Sequence, residues 1–183
     1  MYRLSLYFDR ETERRLQRYM EQVAAKTGNS YMLDQQILPH LTIASFREGR
    51  EEELVRAMEA LAGTWRRGRI DWVSPGCFKP HVLFLAPVLN RYLHELCLSA
   101  NQAGEQFCER GRQNHCRPFA WFPHTTIGRQ LTEDQMLAGF HILQANFQPF
   151  SGTAVKAGLA KSRPYRDIRV WQLSEAGNHQ QDL

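Results

Sequence analysis

Hydrophobic residues recur along the chain at two spacings, every second residue or every third to fourth, and these separate predicted strands from predicted helices. Residues 2–8, Tyr-Arg-Leu-Ser-Leu-Tyr-Phe, alternate in part and are rich in strand-forming types, which predicts a strand. Apolar residues between Leu16 and Ala24 then recur at helical spacing. Asp9 is suited to cap this helix and Gly28 to end it. The chain therefore opens with a strand and an amphipathic helix.

The rest of the chain continues this alternation of short strands and helices. The pattern predicts helices over residues 51–61 and 89–110 and from residue 132 onward, strands over residues 37–46, 70–73, 81–85, 152–160 and 168–173, and a turn at residues 75–76. The alternation alone is compatible with a doubly wound parallel sheet. However, the strands are short and partly alternating, which favours antiparallel sheets with one covered and one open face.

One short motif occurs twice. Residues 38–45 read L-P-H-L-T-I-A-S and residues 122–129 read F-P-H-T-T-I-G-R, so Pro-His-x-Thr-Ile follows an apolar residue in both copies. Each copy comes after a strand, a helix and a loop, and each precedes a helix that begins with acidic residues. We therefore predict an α+β fold of two pseudo-symmetric lobes. Each lobe is expected to be an antiparallel sheet with helices on its outer face, and a cleft is expected between the lobes.

Composition is that of an ordinary globular protein, with 43% hydrophobic and 23% charged residues in a chain of 183. This length fits a single domain, expected over residues 1–174 as two intertwined lobes, with a polar tail over residues 175–183. The net charge of +4 is compatible with an anionic ligand and far below that of a basic nucleic-acid arm. The N-terminus lacks the apolar run of a signal peptide, and no stretch is long enough to cross a membrane, so we expect a cytoplasmic protein.

The four cysteines, at positions 77, 97, 108 and 116, are expected to be reduced thiols. They contain no C-x-x-C pair, and the neighbours His115 and Cys116 have no second close pair of ligands to complete a metal site. We therefore expect neither a metal nor another cofactor.

The repeated motif carries residues that suit acid–base chemistry. Residues two apart in a strand share one face and lie about 6.5–7 Å apart, which places His40 beside Thr42 and His124 beside Thr126. Across a cleft between related lobes, the two pairs would face each other. Imidazole serves as acid or base near neutrality, and a threonine hydroxyl donates to a phosphoryl oxygen without adding charge. This set suits metal-free in-line displacement at phosphorus.

Simpler explanations exist for each of these residues. A single histidine in such a strand is more simply a half-buried residue with local partners, but duplication in matched context favours the catalytic interpretation. A metal site formed by His40 and His124 lacks matching carboxylate or cysteine ligands. Arg129 is suited equally to a phosphate contact and to a surface salt bridge.

Other residues near the motifs have weaker signals. Arg110, Arg112 and Arg117 either extend an anionic path towards the second motif or belong to a solvated loop. Trp121 and Phe122 either stack on a base or, as the residue types favour, pack in the core. Five histidines share no such context and are interpreted as ordinary: His81, His94, His115, His141 and His179.

The two copies, H-L-T-I and H-T-T-I, resemble the H-x-T-hydrophobic signature of the two-histidine (2H) phosphoesterase superfamily. The closer resemblance is to its branch of bacterial 2′-5′ RNA ligase / RNA 2′,3′-cyclic phosphodiesterase proteins, in which an arginine usually follows the second motif. Similarity runs nearly end to end, through residues 3–16, 70–85 and 158–173. The sequence departs from the family pattern after the first motif, where Arg47 and Glu48 bring charge, and at Thr125, where an apolar residue is usual.

The resemblance implies roles for five residues. His40 and His124 would be the acid–base pair, with His124 as the base and His40 as the acid. Thr42 and Thr126 would bind the phosphate, and Arg129 would contact the substrate.

The resemblance also implies an activity on RNA ends or small cyclic nucleotides. The expected reaction opens a 2′,3′-cyclic phosphate to a 2′-phosphate, and reversible 2′-5′ RNA ligase activity is compatible with the same site. One alternative is a non-catalytic RNA-binding protein that uses the same cleft. Another is a sister phosphodiesterase acting on ADP-ribose cyclic phosphate or on 2′-5′ oligoadenylate. No membrane and no obligate protein partner are inferred, and a monomer is compatible with the sequence.

Overall fold

A computed structural model of the chain describes residues 1–110, 116–162 and 165–175. The predictions for Arg112, His115, His179 and the tail beyond residue 175 lie outside these residues. The strands are β1 (Tyr2–Phe8), β2 (Leu41–Gly49), β3 (Gly68–Phe78), β4 (Val82–Pro87), β5 (Cys108–Arg110), β6 (Thr125–Arg129), β7 (Phe150–Ser162) and β8 (Tyr165–Gln172). The helices are α1 (Arg10–Thr27), α2 (Tyr31–Asp34), α3 (Glu51–Ala62), α4 (Arg91–Gly104) and α5 (Glu133–Asn146).

The strands form one hydrogen-bonded sheet in the order β5-β2-β1-β7-β3-β4-β6, with β8 also paired to β7. The pairings between these strands are all antiparallel in the part of the chain that the structure describes. The prediction of an antiparallel α+β fold is therefore confirmed, and a doubly wound parallel sheet is excluded.

Strand β7 belongs to both halves of the sheet. Its residues 154–161 pair with β1 along one edge. Along the other edge, residues 150–154 pair with β3 and residues 156–162 pair with β8. We call β1, β2, β5, β8 and the C-terminal part of β7 the first lobe, and β3, β4, β6 and the N-terminal part of β7 the second lobe.

The helices are exchanged between the lobes. Helix α1 follows β1 of the first lobe but packs against α5 and β6 of the second. Helix α4 follows β4 of the second lobe but packs against α3 and β2 of the first. The approach of α4 to β2 is close, since a Cβ on Gly104 would overlap the ring of Phe46. Each lobe is therefore completed by a helix from the other half of the chain.

Local sequence fixes the ends of several elements. The Asp9 carboxylate accepts the backbone N–H of Glu11 and Thr12 at the start of α1 and that of Thr153 in β7. Although burial opposes it, these hydrogen bonds hold the pKa of Asp9 below its ordinary value. Gly28 ends α1 with a φ of 70°, and Thr132 caps α5. The predicted caps at Asp9 and Gly28 thus lie where the pattern placed them.

Three predicted boundaries are wrong. The helix predicted over residues 89–110 ends at Gly104, and Cys108–Arg110 is instead a strand, because it pairs with the free edge of β2. The predicted turn at residues 75–76 lies inside β3, and the chain turns at residues 79–81. The strand predicted from Ile37 begins only at Leu41.

Candidate active site between the two motif strands

Strands β2 and β6, which carry the two motifs, lie near opposite ends of the strand order and are nevertheless in contact. The sheet must therefore curve until its ends approach each other. In both strands the register shifts by one residue just after the motif threonine, at Ile43 in β2 and at Ile127 in β6. A bulge of this kind adds twist and redirects side chains, and it occurs at the same letter of both motifs. We call the space between β2 and β6 the cleft.

The two histidines are held in the same way. His40 and His124 stand directly before β2 and β6. The Nδ1 of His40 lies 2.8 Å from the carbonyl oxygen of Leu38, and that of His124 lies 2.9 Å from the carbonyl oxygen of Phe122. Because a carbonyl only accepts, each Nδ1 must donate. In the neutral form of both rings, Nε2 is therefore the basic nitrogen.

Burial alternates along both motifs as the sequence predicts. His40 and Thr42 are partly exposed, and so are His124 and Thr126. The residues between them face the core. Among these, Thr125 is fully buried and accepts a hydrogen bond from Nε1 of Trp72 at 3.1 Å. Thr125, where the sequence departs from the family pattern, therefore forms a hydrogen bond in the core, and its side chain does not face the cleft.

The first lobe adds polar groups beside its motif. Ser5 of β1 is paired with Thr42, and their hydroxyl oxygens are 3.2 Å apart. The ring of Tyr7, two residues further along β1, has its centroid 6.2 Å from that of His40. A Cβ on Gly158 of β7 would lie 2.7 Å from the Tyr7 ring, so this glycine leaves room for the tyrosine.

The second lobe adds aromatic rings instead. Phe84 of β4 is paired with Thr126, at the position that Ser5 takes opposite Thr42. The rings of Phe78 and Phe84 have centroids 4.8 Å and 5.5 Å from that of His124. Phe122 packs edge-on against both phenylalanines and is 45% exposed. We call Phe78, Phe84 and Phe122 the aromatic cluster.

Trp121, by contrast, is buried in the core, as its residue type favours. The two neighbours for which base stacking and core packing were alternatives therefore differ, since only Phe122 presents a ring to solvent.

Two arginines bring positive charge to His40. Burial is the largest cause of a pKa of His40 below its ordinary value, and the charges of Arg3 and Arg129 lower it further. The hydrogen bond to Leu38 acts in the opposite direction. Arg3 lies in β1 and Arg129 in β6, so groups of both lobes act on one imidazole. Burial and the charges from both lobes therefore favour neutral imidazole at His40.

Sequence reasoning did not identify Arg3, Ser5, Tyr7 and the partners of His124 in the aromatic cluster. A signal was present in β1, where Arg3, Ser5 and Tyr7 alternate with the apolar residues Leu4 and Leu6 and so share the opposite face of the strand, with Ser5 itself buried. No comparable signal marks Phe78 and Phe84, because their place beside His124 depends on strand register.

The four cysteines are all free. Burial raises the pKa of the Cys97 thiol to about 12 and that of Cys116 to about 11, which keeps both protonated near neutrality. Within residues 1–110, 116–162 and 165–175, no three His, Cys, Asp or Glu side chains are grouped to hold a metal ion. Among the same residues, no helix is both long and apolar enough to span a membrane.

Comparison with known proteins gives one matching family. The model of the 2′-5′ RNA ligase superfamily matches residues 9–165. Among curated protein sequences no match is found.

Several solved structures share the fold. LigT of E. coli complexed with 3′-AMP is 18% identical, with a TM-score of 0.60, and the match covers 94% of this chain and 97% of that one. TT0787 of Thermus thermophilus is 18% identical, with a TM-score of 0.63 and coverage of 97% and 99%. Usb1 of Kluyveromyces marxianus is 14% identical, with a TM-score of 0.50 and coverage of 86% and 92%.

Proposed function

The chain belongs to the 2′-5′ RNA ligase superfamily, and we propose that it is a metal-independent phosphoesterase that opens 2′,3′-cyclic phosphates to 2′-phosphates. The observation that carries this proposal is that β2 and β6, the strands directly after His40 and His124, contact each other although four strands separate them in the sheet. We infer that the two histidines and the two motif threonines border one space. A phosphate bound there would meet one acid–base group from each lobe.

The proposed reaction is an in-line displacement. Water attacks phosphorus on the side opposite the 3′-oxygen, while Nε2 of one histidine takes a proton from that water. The bond between phosphorus and the 3′-oxygen breaks, and the departing oxygen takes a proton from the other histidine. The hydroxyls of Thr42 and Thr126 donate to the non-bridging oxygens and hold phosphorus in line. A 5′-hydroxyl in place of water would form a 2′-5′ linkage by the same displacement.

The surroundings of His40 favour one assignment of the two roles. The base must be neutral before the reaction, and burial together with Arg3 and Arg129 favours the neutral form of His40. We therefore assign His40 as the base and His124 as the acid. This is the reverse of the assignment that the family resemblance implies.

The aromatic cluster supports a nucleotide as the substrate. Its exposed member, Phe122, offers a ring face beside His124, and aromatic faces stack on bases of any sequence. Structures of E. coli LigT are complexed with 3′-AMP, ATP and NADP+, which all contain an adenosine with phosphate on its ribose. We therefore place the nucleoside of the cyclic phosphate on the second lobe.

The direct test is incubation of the purified protein with a 2′,3′-cyclic mononucleotide in the presence of a chelator. Chromatography against 2′- and 3′-phosphate standards should give the 2′-isomer. His40→Ala and His124→Ala should each lower kcat by a factor on the order of 10²–10⁴. His141→Ala changes an exposed histidine of α5 and should leave the rate unchanged.

Several outcomes would contradict the proposal. Full activity in either cleft variant would exclude the two-histidine mechanism. Binding without product at high enzyme concentration would favour the non-catalytic RNA-binding alternative. If ADP-ribose cyclic phosphate or 2′-5′ oligoadenylate were processed far faster than the RNA-type substrate, the sister activity would replace the proposed one.

A further inference from the structure

Two lysines of β7 have different surroundings. Lys161 pairs with Tyr2, lies over its ring at 5.2 Å, and has its Nζ 3.5 Å from a carboxylate oxygen of Glu51. Lys156 is also partly buried but has no ion pair within the residues that the structure describes. A lysine without a carboxylate partner can use its ammonium group to bind an anionic ligand.

Strand register places Lys156 on the cleft side of the first lobe. Lys156 is the direct cross-strand partner of Tyr7, and Gln172 of β8 is its partner on the other side. Direct partners of adjacent strands project from the same face of a sheet. Since Tyr7 contacts the ring of His40, Lys156 and Gln172 project from the face that carries the first motif. We call His40, Tyr7, Lys156 and Gln172 the polar row.

The spacing of the polar row separates Lys156 from the reacting phosphate. The strands that carry His40 and Lys156 are separated by β1, so their backbones are about 10 Å apart. The ammonium group of Lys156 is thus placed to bind a second anion, further along the polar row than the reacting phosphate.

We propose that Lys156, together with the amide of Gln172, binds the phosphate that adjoins the reacting one in an RNA strand, so that RNA ends are preferred over mononucleotides. This inference rests on the proposed function. The four-carbon stem and three donors of lysine suit a phosphate whose exact position varies. The neighbouring amide adds donors without adding charge. If the terminal nucleoside lies on the aromatic cluster, the rest of the RNA leaves the cleft along the polar row.

The test compares two substrates that carry the same reacting group. One is a 2′,3′-cyclic mononucleotide, and the other is a short oligoribonucleotide that ends in the same cyclic nucleotide. Lys156→Gln should lower kcat/KM for the oligonucleotide about tenfold, and leave that for the mononucleotide within about twofold. The salt dependence of log kcat/KM for the oligonucleotide should become shallower by about one phosphate contact. Lys156→Arg should retain most of the preference, because it keeps the charge.

Lys26→Gln is the matched control, since it removes the same charge from an exposed position at the end of α1. It should affect the two substrates equally. The mononucleotide rate also reports whether each variant is folded. An equal loss on both substrates, or no loss on the oligonucleotide, would overturn the lysine site alone. Failure of the unmodified protein to open either substrate would overturn the proposed function, and this inference with it.

Discussion

Thr125 and Thr126 follow each other in β6, and strand alternation turns their hydroxyls to opposite faces of the sheet. Thr125 accepts the indole N–H of Trp72 in the core, whereas Thr126 borders the cleft opposite Phe84. The first lobe has Leu41 in place of Thr125 and Ser5 in place of Phe84. The two copies of the motif therefore present the same side chains to the cleft, whereas the neighbouring core and cross-strand residues differ between the lobes.

Substitution of the two adjacent threonines should separate stability from activity, with one variant losing stability and the other losing activity. Thr125→Val leaves the Trp72 indole N–H buried without an acceptor, so the free energy of unfolding should fall by about 1–3 kcal/mol. The folded variant should keep its activity, because the cleft hydroxyls are untouched. Thr126→Val should leave stability within about 0.5 kcal/mol. It should nonetheless lower kcat by about a hundredfold, through loss of a donor to the phosphate.

Urea unfolding and turnover of a cyclic nucleotide measure the two effects separately. Comparable loss of stability in both variants would show that the hydroxyl of Thr125 has no special place in the core.

Arg129→Gln distinguishes the roles of the two histidines by pH. Removing the positive charge raises the pKa of His40, which is otherwise held low. If His40 is the base, its neutral form is required, activity falls as the pH drops through its pKa, and the acidic limb should move to higher pH. If His40 were the acid, the alkaline limb would move to higher pH instead.

The profile of log kcat/KM against pH reports the free enzyme and is the measurement to use. Arg18→Gln, which changes an exposed arginine of α1, should leave both limbs in place. Movement of the alkaline limb alone would return the base role to His124.

The motif residues could be predicted at this scale because their chemistry and spacing are both local. His40 with Thr42, and His124 with Thr126, are two residues apart, and alternation alone puts each pair on one face. Ser5, Phe84 and Lys156 lie on other strands. Their place beside the motifs depends on register and on two bulges, which no short stretch of sequence encodes.

At the scale of elements, the long amphipathic helices were predicted well, whereas the short strand at the edge of the sheet was not. Helices α1, α3 and α5 lie where apolar spacing placed them. Strand β5 was missed because three residues carry no periodicity, and its conformation comes from pairing with the edge of β2. Glycine at position 104 is a local signal for the end of α4. A glycine is needed there because a Cβ would overlap the ring of Phe46 in β2.

That contact predicts the effect of a single methyl group. Gly104→Ala would place its Cβ against the Phe46 ring in a filled core, and the resulting overpacking should lower the free energy of unfolding by about 1–3 kcal/mol. Gly63→Ala is the control, because its Cβ would meet only backbone oxygens at ordinary contact distance and its backbone is right-handed helical. It should change stability by no more than about 1 kcal/mol, in the stabilising direction. Equal stability of the two variants in urea unfolding would show that α4 adjusts away from β2.

At the scale of the molecule, the cleft depends on the whole sheet. The motif strands are separated in the strand order by four other strands, and the right-handed twist accumulated across them contributes to the approach of β2 and β6. The sequence predicted two lobes from the repeated motif. It did not predict the exchange of α1 and α4, because an apolar helix face looks the same whichever sheet it covers.

The exchange of elements has a consequence for how such a chain is assembled. Strands β1 and β2 and helix α3 complete the first lobe, while α1 and β3 from the same half of the chain complete the second. The second half divides in the same way. Its elements β4, β6, α5 and the N-terminal part of β7 belong to the second lobe, while α4, β5, β8 and the C-terminal part of β7 belong to the first. The single chain is thus the covalent counterpart of a domain-swapped dimer. Either half of the chain expressed alone would expose the faces that the other half covers. The two halves should therefore associate when they are co-expressed.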